Sequence, residues 1–223
     1  MKAYFSKYNN AIVALSGGAD SAAVLMLAAE HIGKNNVLAV TCVNQHFFES
    51  ELENAAKIAA ILGVRHQSYT VEMPNEFYLG GNEKCYYCKK AVMSGMLKMK
   101  GFDTIFDGTN ADDDLTERQG SRAAKEMGVI SPLYELGLGK EYTKTKCNKL
   151  TGIDFLDESC KATRFDGSFD TQGLDRVALF ETPLRHKLPG IRYRIDRRYV
   201  EFKKPLTLSE ADFQAVTSQK ALC

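Results

Sequence analysis

The chain has 223 residues, 44% of them hydrophobic and 26% charged, which fits one large domain or one domain with an appendage. Its 29 Lys and Arg against 28 Asp and Glu leave a net charge of +1, so no overall field draws it to nucleic acid or to a membrane surface. No run approaches the roughly 18 apolar residues of a membrane span. The N-terminus has no apolar secretory core, so the expected home is the cytoplasm, where cysteines serve metals or catalysis more often than disulfides.

In chain order, Ala11 to Leu15 is a short apolar run suited to a buried strand. Ala22 to Ala29, rich in Ala, Leu and Met, favours a helix. Val37–Cys42 reads as a second strand. Glu49–Leu62 reads as an amphipathic helix, with Ala56, Ile58, Ala59 and Leu62 available for a core face. His66–Val71 reads as a third strand, Cys85–Lys100 as a helix stopping near Gly101, and Thr104–Phe106 as a fourth strand ending at Asp107-Gly108. Alternating strands and helices predict an α/β fold with a parallel sheet and right-handed crossovers. Leu174–Glu181 reads as a helix and Ile191–Phe202 as a strand pair. The expected organisation is therefore a parallel-sheet domain over 1–165 and a small α+β appendage over 166–223.

Between the first strand and its helix stands Ser16-Gly17-Gly18-Ala19-Asp20-Ser21. A Gly-Gly pair there lets backbone N–H groups approach an anion, and the helix N-terminus adds its positive dipole end. Ser16 and Ser21 can donate to phosphate oxygens, and Asp20 is the first choice to hold a phosphate-bound Mg²⁺. The loop lacks the spacing and lysine of a Walker A motif. It resembles the PP-loop of the ATP pyrophosphatase superfamily, which splits ATP into AMP and pyrophosphate. In a parallel sheet ligands bind beyond the carboxyl ends of the strands, where this loop and Asp107 both fall.

Cys85 and Cys88 are spaced C-x-x-C at a helix start, which puts two thiols on one face. That spacing alone also fits a redox pair or half of a zinc site. Thiols at helix starts are expected to have depressed pKa values. Cys160 lies in a polar loop. Three thiolates can hold a [4Fe–4S] cluster with one iron open, whereas ferredoxin-type clusters use four cysteines. Cys42 reads as core packing, Cys147 as a helix residue and Cys223 as terminal, so these three stay outside the site.

Together the loop, Cys85-Tyr86-Tyr87-Cys88-Lys89-Lys90, Asp107-Gly108-Thr109-Asn110-Ala111-Asp112-Asp113, Gly128-Val129-Ile130-Ser131-Pro132-Leu133 and Ser159-Cys160 with Arg164 carry a resemblance to the LarE family of sulfur transferases. It runs in one order from about residue 10 to 165. The resemblance implies ATP and Mg²⁺ as cofactors, with Ser16, Gly17, Gly18, Asp20, Ser21, Asp107, Gly108, Asn110 and Asp113 around the nucleotide. Lys89, directly after Cys88, is placed to steady the adenylate phosphate or the sulfide. In one branch of the family the cysteine matching Cys160 gives up its own sulfur. In the other, three cysteines, here Cys85, Cys88 and Cys160, hold a [4Fe–4S] cluster. The chain matches that second branch.

The C-terminal match is looser. Ile191-Arg192-Tyr193-Arg194 resembles a family strand whose arginines bind an anion near a subunit interface, and Glu181 matches an acidic residue expected to orient Arg192 or Arg194. The implied acceptor is a small mononucleotide carboxylate, the implied assembly a homo-oligomer, and neither membrane nor nucleic acid is an expected partner. The basic stretch from Arg185 to Lys204 is a solvated face or a phosphate pocket. Three competing readings remain: an iron–sulfur tRNA thiolase, a non-catalytic ATP- or metal-sensing module, and an ammonia-using ligase of the NAD-synthetase type.

Overall fold

The computed structural model describes residues 1–116, 118–155 and 159–221. Cys223, set aside above, lies outside the described residues. In chain order the regular elements are α1 (Lys2–Phe5), β1 (Ala11–Ala14), α2 (Ala19–Ala28), β2 (Val37–Cys42), α3 (Glu49–Leu62), β3 (Arg65–Tyr69), α4 (Asn75–Tyr78), α5 (Lys84–Leu97) and β4 (Ile105–Phe106). There follow α6 (Gln119–Glu126), α7 (Pro132–Glu135), α8 (Lys140–Cys147), α9 (Thr171–Glu181), β5 (Ile191–Arg194), β6 (Tyr199–Phe202) and α10 (Glu210–Ala221). The chain divides into two compact units. One comprises Met1–Asn44, Glu49–Phe77 and Asn82–Phe155; the other comprises Gln45–Phe48, Tyr78–Gly81 and Leu156–Cys223.

The first unit is a parallel α/β layer, as its strand–helix alternation predicts. Its sheet has the order β3-β2-β1-β4, all parallel. β1 and β2 are apolar without alternation because both of their faces are covered. β3 is mostly exposed along Arg65-His66-Gln67-Ser68, and its polar side chains suit an edge. β4 is only two residues long, but Phe106 bridges in parallel to Ile130, whose amide donates to the Ile105 carbonyl at 2.9 Å. A further extended segment thus flanks β4, one the sequence did not announce.

α2 is buried from Ser21 to Ala28, with no polar face. A helix apolar all round belongs in a core. On α3 the expected core face is corrected by one residue: Ala55, Ile58 and Ala59 are buried and Ala56 is exposed. Positions 55, 58, 59 and 62 follow the i, i+3, i+4, i+7 stripe that one helix face can present, and position 56 does not.

The second unit has its own small core of Phe180, Leu184, Leu188, Ile191 and Tyr193, built where α9 packs on the antiparallel pair β5–β6. The side chain of Asp170 caps α9, accepting from the Gly173 amide at 2.7 Å. The two short excursions are stitched in by backbone bonds. The Lys161 amide donates to the His46 carbonyl at 2.9 Å, and the Phe169 amide to the Tyr78 carbonyl at 2.9 Å.

Candidate nucleotide and thiol sites

The strand order reverses at β1, with β2 on one side and β4 on the other. Such a switch point opens a crevice at the carboxyl ends of the strands. The loop after β1 and the loop after β4 both enter it. Gly17 has φ 88°, and a Cβ there would sit 2.0 Å from the Glu51 carbonyl oxygen, so no other residue fits. Gly18 is the N-cap of α2 in an extended conformation. The loop braces itself. Ser21 Oγ donates to the Gly18 carbonyl at 3.0 Å and lies 3.1 Å from Ser16 Oγ, while the Ser16 amide donates to Ser21 Oγ at 3.2 Å.

The β4 loop is pressed against this cradle. A Cβ on Gly108 would lie 2.8 Å from the Ser21 amide nitrogen, so glycine here permits close approach to the α2 N-terminus. Asn110 Nδ2 donates to Asp20 Oδ2 at 2.9 Å and orients that carboxylate. Asn110 is itself fixed, because its Oδ1 accepts from the Asp112 amide at 2.9 Å and its amide donates to Asp113 Oδ2 at 3.1 Å. Arg118 Nη1 pairs with Asp113 Oδ2 at 2.6 Å. Asp112 tethers the start of α8, accepting from the Lys140 amide at 2.7 Å. The structure thus brings Ser16, Gly17, Gly18, Asp20, Ser21, Gly108, Asn110 and Asp113 together at one edge.

Asp107 is 1% exposed. It accepts from Lys89 Nζ at 3.0 Å, Ser131 Oγ at 2.8 Å, Thr109 Oγ1 at 3.0 Å and the Thr109 amide at 3.2 Å. Burial opposes its ionisation. The Lys89 charge and these hydrogen bonds overcome that and hold the carboxyl below its ordinary value. Asp107 therefore serves Lys89, fixing its ammonium on the crevice side of α5. Thr109 and Ser131 complete that socket. Both stand inside the motifs quoted above; Thr109 is only two positions from Asp107, but the Ser131 contact spans 24 positions and no spacing reveals it.

Cys85 and Cys88 occupy the first turn of α5, with Lys89 next in the chain. The edge of α5 is set by Tyr69, whose hydroxyl donates to the Val92 carbonyl and whose ring fills the space that Gly95 leaves. The expected depression of the thiol pKa is not found at Cys85. Surrounding protein atoms raise it, and Lys84, Arg118 and Lys89 pull it only partly back. Cys42 and Cys147 are buried thiols, each pushed up to about 11 by desolvation, and Cys147 donates to the Ala19 carbonyl at 3.2 Å. They pack the core.

Cys160 belongs to the second unit, at the N-cap of a 3₁₀ turn over Lys161–Arg164. Arg164 gathers this turn, donating from Nη1 to Ser159 Oγ at 2.8 Å and Thr163 Oγ1 at 2.7 Å. It is anchored side-on by Glu181, with Nε to Oε1 at 2.8 Å and Nη2 to Oε2 at 2.7 Å. Glu181 is 0% exposed and also accepts from the Tyr193 amide at 2.8 Å. Its carboxylate thus orients Arg164. Arg194 is held by Glu201, with Nε to Oε1 at 2.8 Å, and by the Thr163 carbonyl. Arg192 shares the half-buried face of β5 with Arg194, opposite buried Ile191 and Tyr193.

For a bound cluster, the two thiols on one turn of α5 supply a fitting pair of ligands. Among the described residues, however, no three His, Cys, Asp or Glu side chains are grouped as a metal cage. The five described cysteines are free thiols. For Mg²⁺, Asp20 beside the loop is a suitable hard oxygen ligand.

The NAD synthase family profile matches residues 2–99. The chain is 33% identical to the uncharacterized protein slr1717 of Synechocystis over 83% of its own length and 72% of that protein's. It is 30% identical to the pyridinium-3,5-bisthiocarboxylic acid mononucleotide synthase of Lactiplantibacillus plantarum over 62% of its length, spanning 52% of that enzyme. It is 25% identical to the tRNA-5-methyluridine(54) 2-sulfurtransferase of Pyrococcus horikoshii over 89% of its length and 69% of that protein's. With the glycine-rich cradle, the Lys89–Asp107 socket and the C-x-x-C turn assembled on a parallel sheet, the chain carries an NAD-synthase-like PP-loop domain and belongs to the same family as slr1717.

Proposed function

We propose that this protein adenylates a carboxylate of a small mononucleotide and replaces one of its oxygens by sulfur. The observation that carries the reading is the crevice at the sheet's switch point, where the PP-loop, the Asp20–Asn110 pair and Lys89 meet on one unit. A substrate carboxylate oxygen attacks the α-phosphorus of ATP, the bond to the bridging oxygen breaks, and pyrophosphate leaves. The PP-loop amides and the α2 N-terminus stabilise the charge on that leaving group. Mg²⁺, held by Asp20, neutralises the phosphates when bound. Lys89, steadied by Asp107, takes the α-phosphate oxygens as their charge develops. A sulfur nucleophile then attacks the acyl carbon, the acyl C–O bond breaks, and AMP departs with that oxygen.

In this reading Cys85, Cys88 and Cys160 handle the sulfur, with Cys160 as the residue that meets the activated acyl group. If Cys160 donates its own sulfur, its thiolate forms the thioester. Loss of the Cα proton and cleavage of Cβ–S then release the thiocarboxylate and leave dehydroalanine. The finer proposal is that the three thiols hold a [4Fe–4S] cluster, which would supply a sulfide and leave Cys160 intact. Residues 1–165 would then serve the nucleotide and 166–223 the acceptor, with Arg192 and Arg194 as its phosphate fork and Glu181 supporting their strand. The free thiols accord with a cytoplasmic enzyme, and we place it there as a homo-oligomer. No described helix is long and apolar enough to cross a membrane.

Nucleotide products test the core of this reading. The expected products are AMP and pyrophosphate in an acceptor-dependent reaction that Asp20→Ala severely weakens; ADP and orthophosphate would reject it. Iron and sulfide analysis after anaerobic purification tests the cluster, since full activity without iron, together with dehydroalanine at position 160, selects the sacrificial route. The similarity to a tRNA sulfurtransferase over most of the chain supports a second reading, transfer of sulfur to tRNA. A tRNA mobility shift at micromolar protein would favour it.

A further inference from the structure

α8 takes no part in the reaction proposed above, yet its two ends reach the two loops of the nucleotide crevice. Its eight residues, Lys140–Cys147, span about 12 Å at the helical rise. At the N-terminal end Asp112 Oδ2 accepts from the Lys140 amide at 2.7 Å. Gly139 permits that approach, because a Cβ there would lie 2.4 Å from the same oxygen. The Ala111 amide adds a bond to the Leu138 carbonyl at 3.0 Å. The β4 loop is therefore fastened to the start of α8 by side chain and backbone together.

At the other end the Cys147 thiol, 3% exposed, donates to the Ala19 carbonyl at 3.2 Å, inside the PP-loop. Burial first, and then the nearby Asp20 charge, push this thiol up to about 11, so near neutral pH it keeps the proton that it donates. Lys146 Nζ meets Glu30 Oε2 at 2.7 Å and fixes the same last turn to the segment that follows α2.

The two attachments close a circuit through Asp20. The Asp112 amide donates to Asn110 Oδ1 at 2.9 Å, and Asn110 Nδ2 donates to Asp20 Oδ2 at 2.9 Å. Ala19 is the chain neighbour of Asp20. One end of α8 thus reaches the Asp20 carboxylate through Asp112 and Asn110. The other reaches the Asp20 backbone through Cys147. A helix has a fixed length set by its own hydrogen bonds, so α8 fixes the spacing of the two loops.

We infer that α8 is a spacer that sets the Asp20 carboxylate, with Asp112 and Cys147 as positioning residues for Mg·ATP. The inference rests on the proposed reading of Asp20 as a Mg²⁺ ligand. A closed circuit has a particular signature. Releasing either end frees the carboxylate, so releasing the second adds little, whereas independent structural roles would multiply.

The test is calorimetric titration of the whole protein with Mg·ATP in the absence of acceptor, with the thermal midpoint of the unliganded protein recorded alongside. Asp112→Ala should raise Kd about tenfold and Cys147→Ala about fivefold, at the low end of the effects of residues behind a metal ligand. The double variant should stay within about twofold of Asp112→Ala rather than approach the product of about fiftyfold. Asp112→Asn keeps the acceptor and Cys147→Ser keeps the donor, so both should bind within about twofold of the wild type. In Asp20→Asn protein neither alanine substitution should raise Kd further. The inference is overturned if the two losses multiply, if either alanine variant shifts the thermal midpoint alone, if Cys147→Ser binds as weakly as Cys147→Ala, or if the losses persist in the Asp20→Asn protein. Wild-type affinity for Mg·ATP in Asp20→Asn itself would instead reject the reading of Asp20, an outcome that no α8 variant produces.

Discussion

Two ion pairs, one in each unit, show how differently the same chemistry can be used. In the second unit Arg164 and Glu181 are both fully buried and meet through two parallel bonds, with the remaining donors of Arg164 on Ser159 and Thr163. That pair is closed; it builds the turn that carries Cys160. In the first unit Lys89 meets Asp107 at 3.0 Å, but only the carboxylate is buried and the lysine is 28% exposed. Its carboxylate is saturated by Ser131 and Thr109, while the ammonium has donors to turn toward a ligand. A sealed pair specifies structure, and a half-open pair presents charge.

The largest effect should come from opening the sealed pair. Arg164→Ala leaves Glu181 buried and uncompensated, at a cost of about 3–5 kcal/mol. Denaturant unfolding should show the loss, with residues of the second unit exchanging amide protons first. Substituting the half-open pair should separate activity from stability. Lys89→Ala is expected to slow AMP formation by roughly 10²–10³-fold, the scale of removing one charge-stabilising donor, while changing the thermal midpoint far less than Arg164→Ala. Equal losses in both measurements would erase the distinction between the pairs.

Acid should also separate the two units. Burial, aided by the Lys161 charge, depresses His46 of the second unit from 6.5 to about 4. The unfolded chain then binds a proton that the folded unit refuses. The stability His46 contributes is full above its unfolded value near 6.5 and declines as pH falls toward about 4. Asp107 of the first unit is held below its ordinary 3.8. Its contribution is full above that value and disappears only as pH falls through the still lower folded one. Hydrogen exchange from pH 7 to 4 should therefore show the second unit loosening first, and His46→Gln should remove that slope. The smallest effect should follow from Lys57→Ala. Its pair with Glu53 is exposed at 3.8 Å, worth no more than about 0.5 kcal/mol.

Much of the first unit was legible because its signals are local. β2 and α3 fall at the bounds their composition marks, since continuous apolar runs and a 3.6-residue stripe need no partner to be read. The nucleotide crevice was legible because a glycine pair between strand and helix constrains the backbone by itself. What escaped is what depends on distant residues. The Ile130 segment beside β4 is a single bridge with no strand-length pattern. The Arg164–Glu181 pair spans 17 positions, so Glu181, expected from the sequence to orient Arg192 or Arg194, is found instead to hold Arg164. The Cys85 thiol failed its expectation for a related reason. A helix start lowers a thiol pKa, but the desolvation that opposes it arises from neighbours that sequence does not position.

Adenylation is the central claim, and oxygen tracing tests it most directly. With a pyridinium mononucleotide acceptor carrying ¹⁸O in its carboxylate, turnover with ATP should deliver one ¹⁸O into the phosphate of AMP. Each labelled AMP should be matched by one acceptor in which sulfur replaces oxygen. Label appearing in orthophosphate, or sulfur-bearing acceptor formed alongside unlabelled AMP, would contradict the account.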